Sequence, residues 1–200
     1  MDEKLIVSKR FAGEQHDIRD FITPNQVEIL GLYEHLKQDD PYDTVELCWR
    51  YLNKYVQYPA TPLGFTVDKQ RLSTFGGAFV YDQPEDYWQF PYETTARVRW
   101  AAKYHQKTFG DCADCAFVMA SVLRNQLGPN EVHACIGTYI LHGKPAGHAW
   151  VKFRIDLNIY YADPTKDFGK SMNFDLYDEY VLFNDIELNI EKDVSKLLYE

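Results

Sequence analysis

The spacing of apolar positions divides the chain into a helical first half and a strand-rich second half. From Pro24 onward, Ile29, Leu32, Tyr33 and Leu36 recur at the three- to four-residue period of an amphipathic helix. A second stripe follows Pro41, with Val45, Cys48, Trp49, Leu52 and Val56 on one face. Together these predict a helical hairpin laid on a larger core. Residues 94–105 predict a third helix and residues 111–127 the clearest one, which Gly128-Pro129 stops. The period then shortens to two. Runs 132–141, 147–155 and 159–162 predict strands, 180–189 one more, and 194–199 a short terminal helix. Helices first and antiparallel strands afterwards is an α+β order, not the alternation of a parallel sheet. Residues 1–23 predict no definite element, and no internal repeat is present.

Residues 58–92 break both periods. Pro59, Pro62, Gly64, Gly76, Gly77, Pro84 and Pro91 are interleaved with aromatics, which predicts a long ordered loop with one short strand at 78–81. Such a loop either walls a site or shields the edge of a core. The expected layout is one domain over residues 1–200. It has a helical elaboration over about 1–58, the loop region over 59–92 and the core over 93–200.

Composition narrows the function classes. A hydrophobic fraction of 46% provides for a packed interior. A net charge of −9 is the wrong sign for a nucleic-acid partner, because phosphate neutralisation supplies most of that affinity. It disfavours an anionic membrane surface equally. The early acids and the three-residue apolar run 5–7 do not make a secretory leader, so a cytoplasmic location is expected unless a leader has been removed. Four cysteines, Cys48, Cys112, Cys115 and Cys135, are too few and too uneven for a disulfide scaffold.

The chemistry concentrates in Gly110-Asp-Cys-Ala-Asp-Cys-Ala. Asp111 is a natural helix N-cap, with Asp114 three residues on as the acidic half of a capping box. Cys112 then falls in the first turn. There the helix dipole favours thiolate, and backbone N–H groups can hold a developing oxyanion. In projection, Ala116, Met119, Ala120, Leu123 and Leu127 form the buried stripe with Cys112 in line, and Asp114 points to the opposite face. A buried cysteine is more often a small core residue, so position alone does not decide its role. Cys112 and Cys115 also spell C-x-x-C. A structural zinc site would need a second ligand pair, and a thioredoxin-type redox pair would need a strand running directly into the motif. Cys48 and Cys135 stand alone and a helix and a turn precede the motif, so Cys115 is more simply a helix residue packing inward and redox chemistry stays a second-rank alternative.

The run 147–153 alternates cleanly, with His148, Trp150 and Lys152 on one face and Ala149, Val151 and Phe153 on the other. A turn at 156–158 brings back 160–163, which sets His148 and Asp163 on neighbouring strands. Asp163 could then fix the imidazole tautomer while the other ring nitrogen faces a thiol. The competing reading is an exposed strand histidine beside a surface tryptophan. His16, His35, His105, His133 and His142 have no aspartate so placed.

Gly110-Asp-Cys-Ala-Asp-Cys-Ala, then Gly147-His-Ala-Trp-Val, then Asp163-Pro-Thr resembles the core of the transglutaminase-like superfamily, whose fold is related to papain. The run Asp86-Tyr-Trp-Gln-Phe-Pro-Tyr-Glu-Thr94 is similar to a segment preceding the nucleophile in bacterial and archaeal members, including transglutaminase-like cysteine proteinases. The three blocks span the middle third to half of the chain. The resemblance implies a papain-like, transglutaminase-like core and a Cys112-His148-Asp163 triad. It further implies a cysteine-dependent amide hydrolase or protease working through a thioester on a protein or peptide substrate. Acyl transfer to an amine and a non-catalytic binding module are its alternatives. It implies Gln89, or else Trp88, as an upstream oxyanion donor, although residues 96–109 intervene here where relatives pass quickly to the cysteine. Some proteolytic relatives need calcium near the acids flanking the nucleophile. Helix capping explains Asp111 and Asp114 without a metal, so no metal or cofactor is expected.

Overall fold

The structure is a computed structural model that describes residues 4–9, 14–57, 72–75, 78–81, 88–141, 143–165 and 174–193. Its elements in chain order are β1 (Ile6–Val7), β2 (His16–Asp17), α1 (Val27–Leu36), α2 (Pro41–Tyr55), β3 (Val56–Gln57), β4 (Leu72–Phe75), β5 (Ala78–Tyr81), α3 (Pro91–Lys103), β6 (Thr108–Phe109) and α4 (Cys112–Leu123). The chain continues through β7 (Val132–Leu141), β8 (Lys144–Ile155), β9 (Asn158–Ala162), β10 (Tyr177–Phe183) and β11 (Leu188–Ile190). The α+β order holds, with helices gathered on one face of an antiparallel sheet. No helix among the described residues is long and apolar enough to cross a membrane.

Five strands in the order β11-β10-β7-β8-β9 form the main sheet. Its registry sets Ala134 against Val151, Ile136 against Ala149, and Val151 against Ala162. These side chains, with Phe153, Val181 and Phe183, join α4 in the main core. The opposite face carries Cys135, Trp150 and Leu182 beneath Tyr161 and Tyr177. Trp150 is fully buried there, and His148 on the same face is buried too.

Helix α4 differs from the amphipathic helix that its sequence predicts. Every residue from Ala113 to Leu123 is buried, including Asp114 and Ser121, because α1, α2 and α3 pack around it on the sides the sheet leaves open. Asp114 therefore faces protein, not solvent. The helix also ends at Leu123, four residues early. Asn125 N–H donates to Val122 and Gln126 N–H to Leu123, which tightens the chain into three-residue turns. The Arg124 side chain donates to the Leu127 carbonyl and to Asp185.

Two other boundaries shift for local reasons. Pro91 at the first helical position starts α3 three residues before 94, with the Glu93 carboxylate accepting the Phe90 N–H. The run 180–189 breaks into β10 and β11 at Asn184, whose Oδ1 accepts from Ile186 and Glu187 N–H groups. Its Nδ2 donates to the carbonyls of Pro129 and Val132. The strand expected at 78–81 is β5, paired with β4. Most of the loop around it and the terminal helix at 194–199 lie outside the described residues.

Gly137 is the tightest point of the sheet. It pairs with His148, and a Cβ built there would sit 1.9 Å from the Asp178 carbonyl oxygen and 2.9 Å from the Trp150 ring. The neighbouring β10 carries an irregularity between Glu179 and Val181 that lets its backbone come this close. Gly137→Ala is expected to cost about 3 kcal/mol, because backbone has to move and not merely a side-chain tip. Urea denaturation midpoints measure it, and a loss below about 1 kcal/mol would show that β10 yields freely.

Candidate active site

Asp111 has the extended backbone of an N-cap, and its side chain accepts the Asp114 N–H at 2.9 Å. Cys112 is thereby fixed as the first residue of α4, half-buried against the main core. A sulfur there lies at the positive end of the helix dipole and beside N–H groups that the helix does not use.

Asp114 has a use beyond capping geometry. Its buried Oδ1 accepts the Gln89 backbone N–H at 3.0 Å, and its Oδ2 lies 3.9 Å from Arg97. This fastens residues 88–90 to the first turn of α4. Trp88 packs edge-on against Phe21 and Phe117, with centroids 5.3 and 5.1 Å away, as part of the core. The Gln89 backbone N–H is therefore committed to Asp114. Thr94 Oγ1 donates to Gln89 Oε1 at 3.5 Å, leaving the amide nitrogen as the donor end. Asp111 and Asp114 each already accept a backbone N–H, and no group of three potential metal ligands occurs among the described residues.

His148 and Asp163 meet as the hairpin predicts. His148 Nε2 and Asp163 Oδ2 are 2.6 Å apart, and the aspartate is fully buried. Tyr177 Oη donates to the same carboxylate oxygen at 2.9 Å. Thr165 donates to Oδ1 through its N–H at 2.9 Å and its hydroxyl at 2.8 Å. Burial alone would raise the Asp163 pKa, but the His148 contact and the Thr165 donors outweigh it and hold the group below its usual 3.8. The carboxylate is therefore ionised over the ordinary pH range. It engages Nε2, which leaves Nδ1 as the other ring nitrogen.

Helix α2 holds this strand exit from below. Trp49 Nε1 donates to the Asp163 carbonyl at 2.9 Å, and Asn53 Nδ2 donates to the Pro164 carbonyl at 2.8 Å. Tyr139, Trp150 and Tyr177 wall the imidazole, with ring centroids 5.6, 6.1 and 6.2 Å from it. The first turn of α4 lies close enough for the Asp163 charge to act on the Cys115 thiol.

The four cysteines are all unbridged, but their surroundings differ. Burial pushes Cys48 up to about 12. Burial also pushes Cys115 and Cys135 well above the ordinary thiol value, and for Cys115 the charges of Asp114 and Asp111 add to the effect. Cys112 is the one cysteine not buried.

Sequence reasoning missed Tyr177, Thr165, Trp49, Asn53 and Gly137 as parts of this site. Thr165 had a signal, since a hydroxyl two residues after an aspartate favours a side-chain-closed turn. Tyr177 had none, because its partner is distant in sequence and its strand was placed three residues too late.

In sequence, the chain matches none of the protein-family models and none of the curated proteins compared with it. Solved structures do resemble it. Legionella pneumophila LapG, a transglutaminase-like cysteine protease, aligns at 16% identity and TM-score 0.56 over 86% of this chain and 80% of LapG. The EGTA-treated form aligns at 16% and 0.55, over 84% and 76% of the two chains. The calcium-bound form gives 15% and 0.54, over 82% and 77%. The likeness is one of fold, and it makes the architecture of this chain papain-like and transglutaminase-like.

Proposed function

We propose that the protein is a cysteine-dependent amide hydrolase in which Cys112 is the nucleophile, His148 the general base and acid, and Asp163 the group that orients His148. The observation that carries this reading is the buried 2.6 Å contact between His148 Nε2 and Asp163 Oδ2 in a fold shared with a cysteine protease. The position of Cys112 at the start of α4 supports it as well.

In the proposed reaction the Cys112 thiol gives its proton to His148 Nδ1, and the thiolate attacks the amide carbonyl carbon. Charge moves onto the carbonyl oxygen, where the N–H groups at the start of α4 and the Gln89 amide stabilise it. Collapse breaks the C–N bond, and the leaving amine takes the proton from His148. The resulting thioester is opened by water, which gives a proton to His148 as it attacks. The carboxylic acid departs and the proton returns to sulfur. An amine in place of that water would give acyl transfer. Asp163 stays ionised throughout and stabilises the imidazolium.

A C-x-x-C redox role is less well supported. Resolution of a mixed disulfide needs a second thiolate, and Cys115 is buried among three carboxylates that disfavour one.

Thiol labelling tests the proposal. A peptidyl electrophile offered to the folded protein is expected to modify Cys112 at least ten times faster than any other cysteine, by peptide mapping. Equal labelling of Cys112 and Cys115, or a reversible disulfide between them, would overturn it in favour of redox chemistry. An inert Cys112 in folded protein would leave a binding module.

A further inference from the structure

A second site lies away from these residues, where α1, α2 and α3 meet. A depression of about 290 Å³ is lined by Gly31, Leu32, His35, Tyr51, Arg99 and Lys103. Its charge runs against that of the chain. In a protein of net charge −9, Arg99 and Lys103 occupy successive turns of α3 and face His35 at the end of α1. Among the described residues no carboxylate pairs with any of the three. Glu34, the nearest acid in sequence, is engaged by Lys37 at 2.6 Å.

The pieces are positioned as well as cationic. Arg99 lies across Gly31, where a built Cβ would be 3.0 Å from a guanidinium nitrogen. The glycine thus lets the guanidinium settle against the α1 backbone. Tyr51 is half-buried beside His35, with ring centroids 6.1 Å apart. Burial and the nearby Tyr55 raise its phenol pKa, so it stays a neutral O–H donor. Arg99 and Lys103 thus line one depression with no carboxylate against either among the described residues, and Lys103 Nζ also lies 5.4 Å from the Tyr104 ring.

We infer that this depression is a binding site for a small phosphate-bearing ligand, held by Arg99, Lys103 and His35 with the Tyr51 hydroxyl as a further donor. A planar guanidinium that can offer two parallel N–H groups, a mobile ammonium and a phenol suit a tetrahedral oxyanion with several acceptor oxygens. The volume is at the lower end of small-molecule sites, roughly 300 Å³, and takes a phosphate with a small attached group. The inference is independent of the catalytic reading, since it shares no residue with it.

Titration calorimetry of the full chain with pyrophosphate in ~0.15 M salt tests it, with citrate in parallel as a carboxylate of comparable charge. Saturable one-to-one binding of pyrophosphate, tighter than that of citrate, is expected. Arg99→Ala and Lys103→Ala should each weaken it about ten-fold or more, the loss of one charge-assisted contact. Gly31→Ala should weaken it too, because the added methyl displaces the guanidinium while favouring the helix. Arg154→Ala, on the exposed side of β8, should leave it unchanged. Absence of saturable binding, equal binding of citrate, or indifference to Arg99→Ala and Lys103→Ala would overturn the inference.

Discussion

Cys112→Ala is expected to lower turnover of any peptide amide that the protein cleaves by about 10⁴-fold or more, while the fold stays intact. The size follows from the chemistry. No other group near the start of α4 can form the thioester, because Cys115 is buried and its thiol is held protonated by burial and by nearby acids. The fold should survive because Cys112 is only half-buried, sits in the first helical turn and is replaced by a good helix former. Its change in stability should stay within about 1 kcal/mol. Fluorogenic peptide assays and denaturation curves on the same preparation read the two effects separately. Cys112→Ser is the sharper control, since it keeps the shape and withdraws the thiolate. Turnover that persists in both variants would remove Cys112 from the mechanism. Loss of turnover together with unfolding would make it a packing residue.

The parts of the fold that were legible in the sequence are those fixed by local periodicity. Stripes of three- to four-residue spacing located α1 and α2, and the change to a period of two located β7 at its observed bounds of Val132–Leu141. Long-range packing was not legible. Helix α4 was expected to turn Asp114 away from its buried stripe, and Ser121 is a second polar residue within its apolar run. Both are buried, with Asp114 serving the Gln89 N–H and Ser121 Oγ accepting the Thr23 N–H at 3.0 Å. A polar residue satisfied by a distant backbone group looks in sequence like one facing water.

The same limit divides the site. His148 and Asp163 were legible because a hairpin joins them, and short connections preserve registry. Trp150 was read as potentially exposed, since strict alternation put it on the face away from the helices. That face is covered by Tyr161 and Tyr177, so the sheet is buried on both sides around the imidazole. The cover comes from Tyr161 on β9 and from Tyr177 on β10, the latter more than twenty residues downstream, and nothing in the alternation of β8 announces it.

Asp163→Asn is expected to lower turnover by about 10⁴-fold and to remove a pH-dependent part of the stability. The fully buried carboxylate accepts four hydrogen bonds, from His148, Tyr177 and two groups of Thr165. An amide keeps one acceptor oxygen and turns an NH₂ toward donors that then have no partner. The catalytic loss comes from the imidazole, which loses its orientation and the charge that stabilises its protonated form. The stability loss, about 3 kcal/mol near neutral pH, comes from the orphaned donors. Its sign with pH follows from the lowered pKa of the folded aspartate. The ionised group stabilises the fold above the usual value of 3.8, and this contribution disappears as pH falls below that value through the folded pKa. The gap in unfolding free energy between the parent protein and Asp163→Asn should therefore be constant from about pH 5 to 7 and should narrow below about pH 4. Denaturant titrations across that range measure it. A gap that does not close in acid would mean that the carboxylate is not held ionised by these donors. Unchanged turnover would separate the aspartate from catalysis altogether.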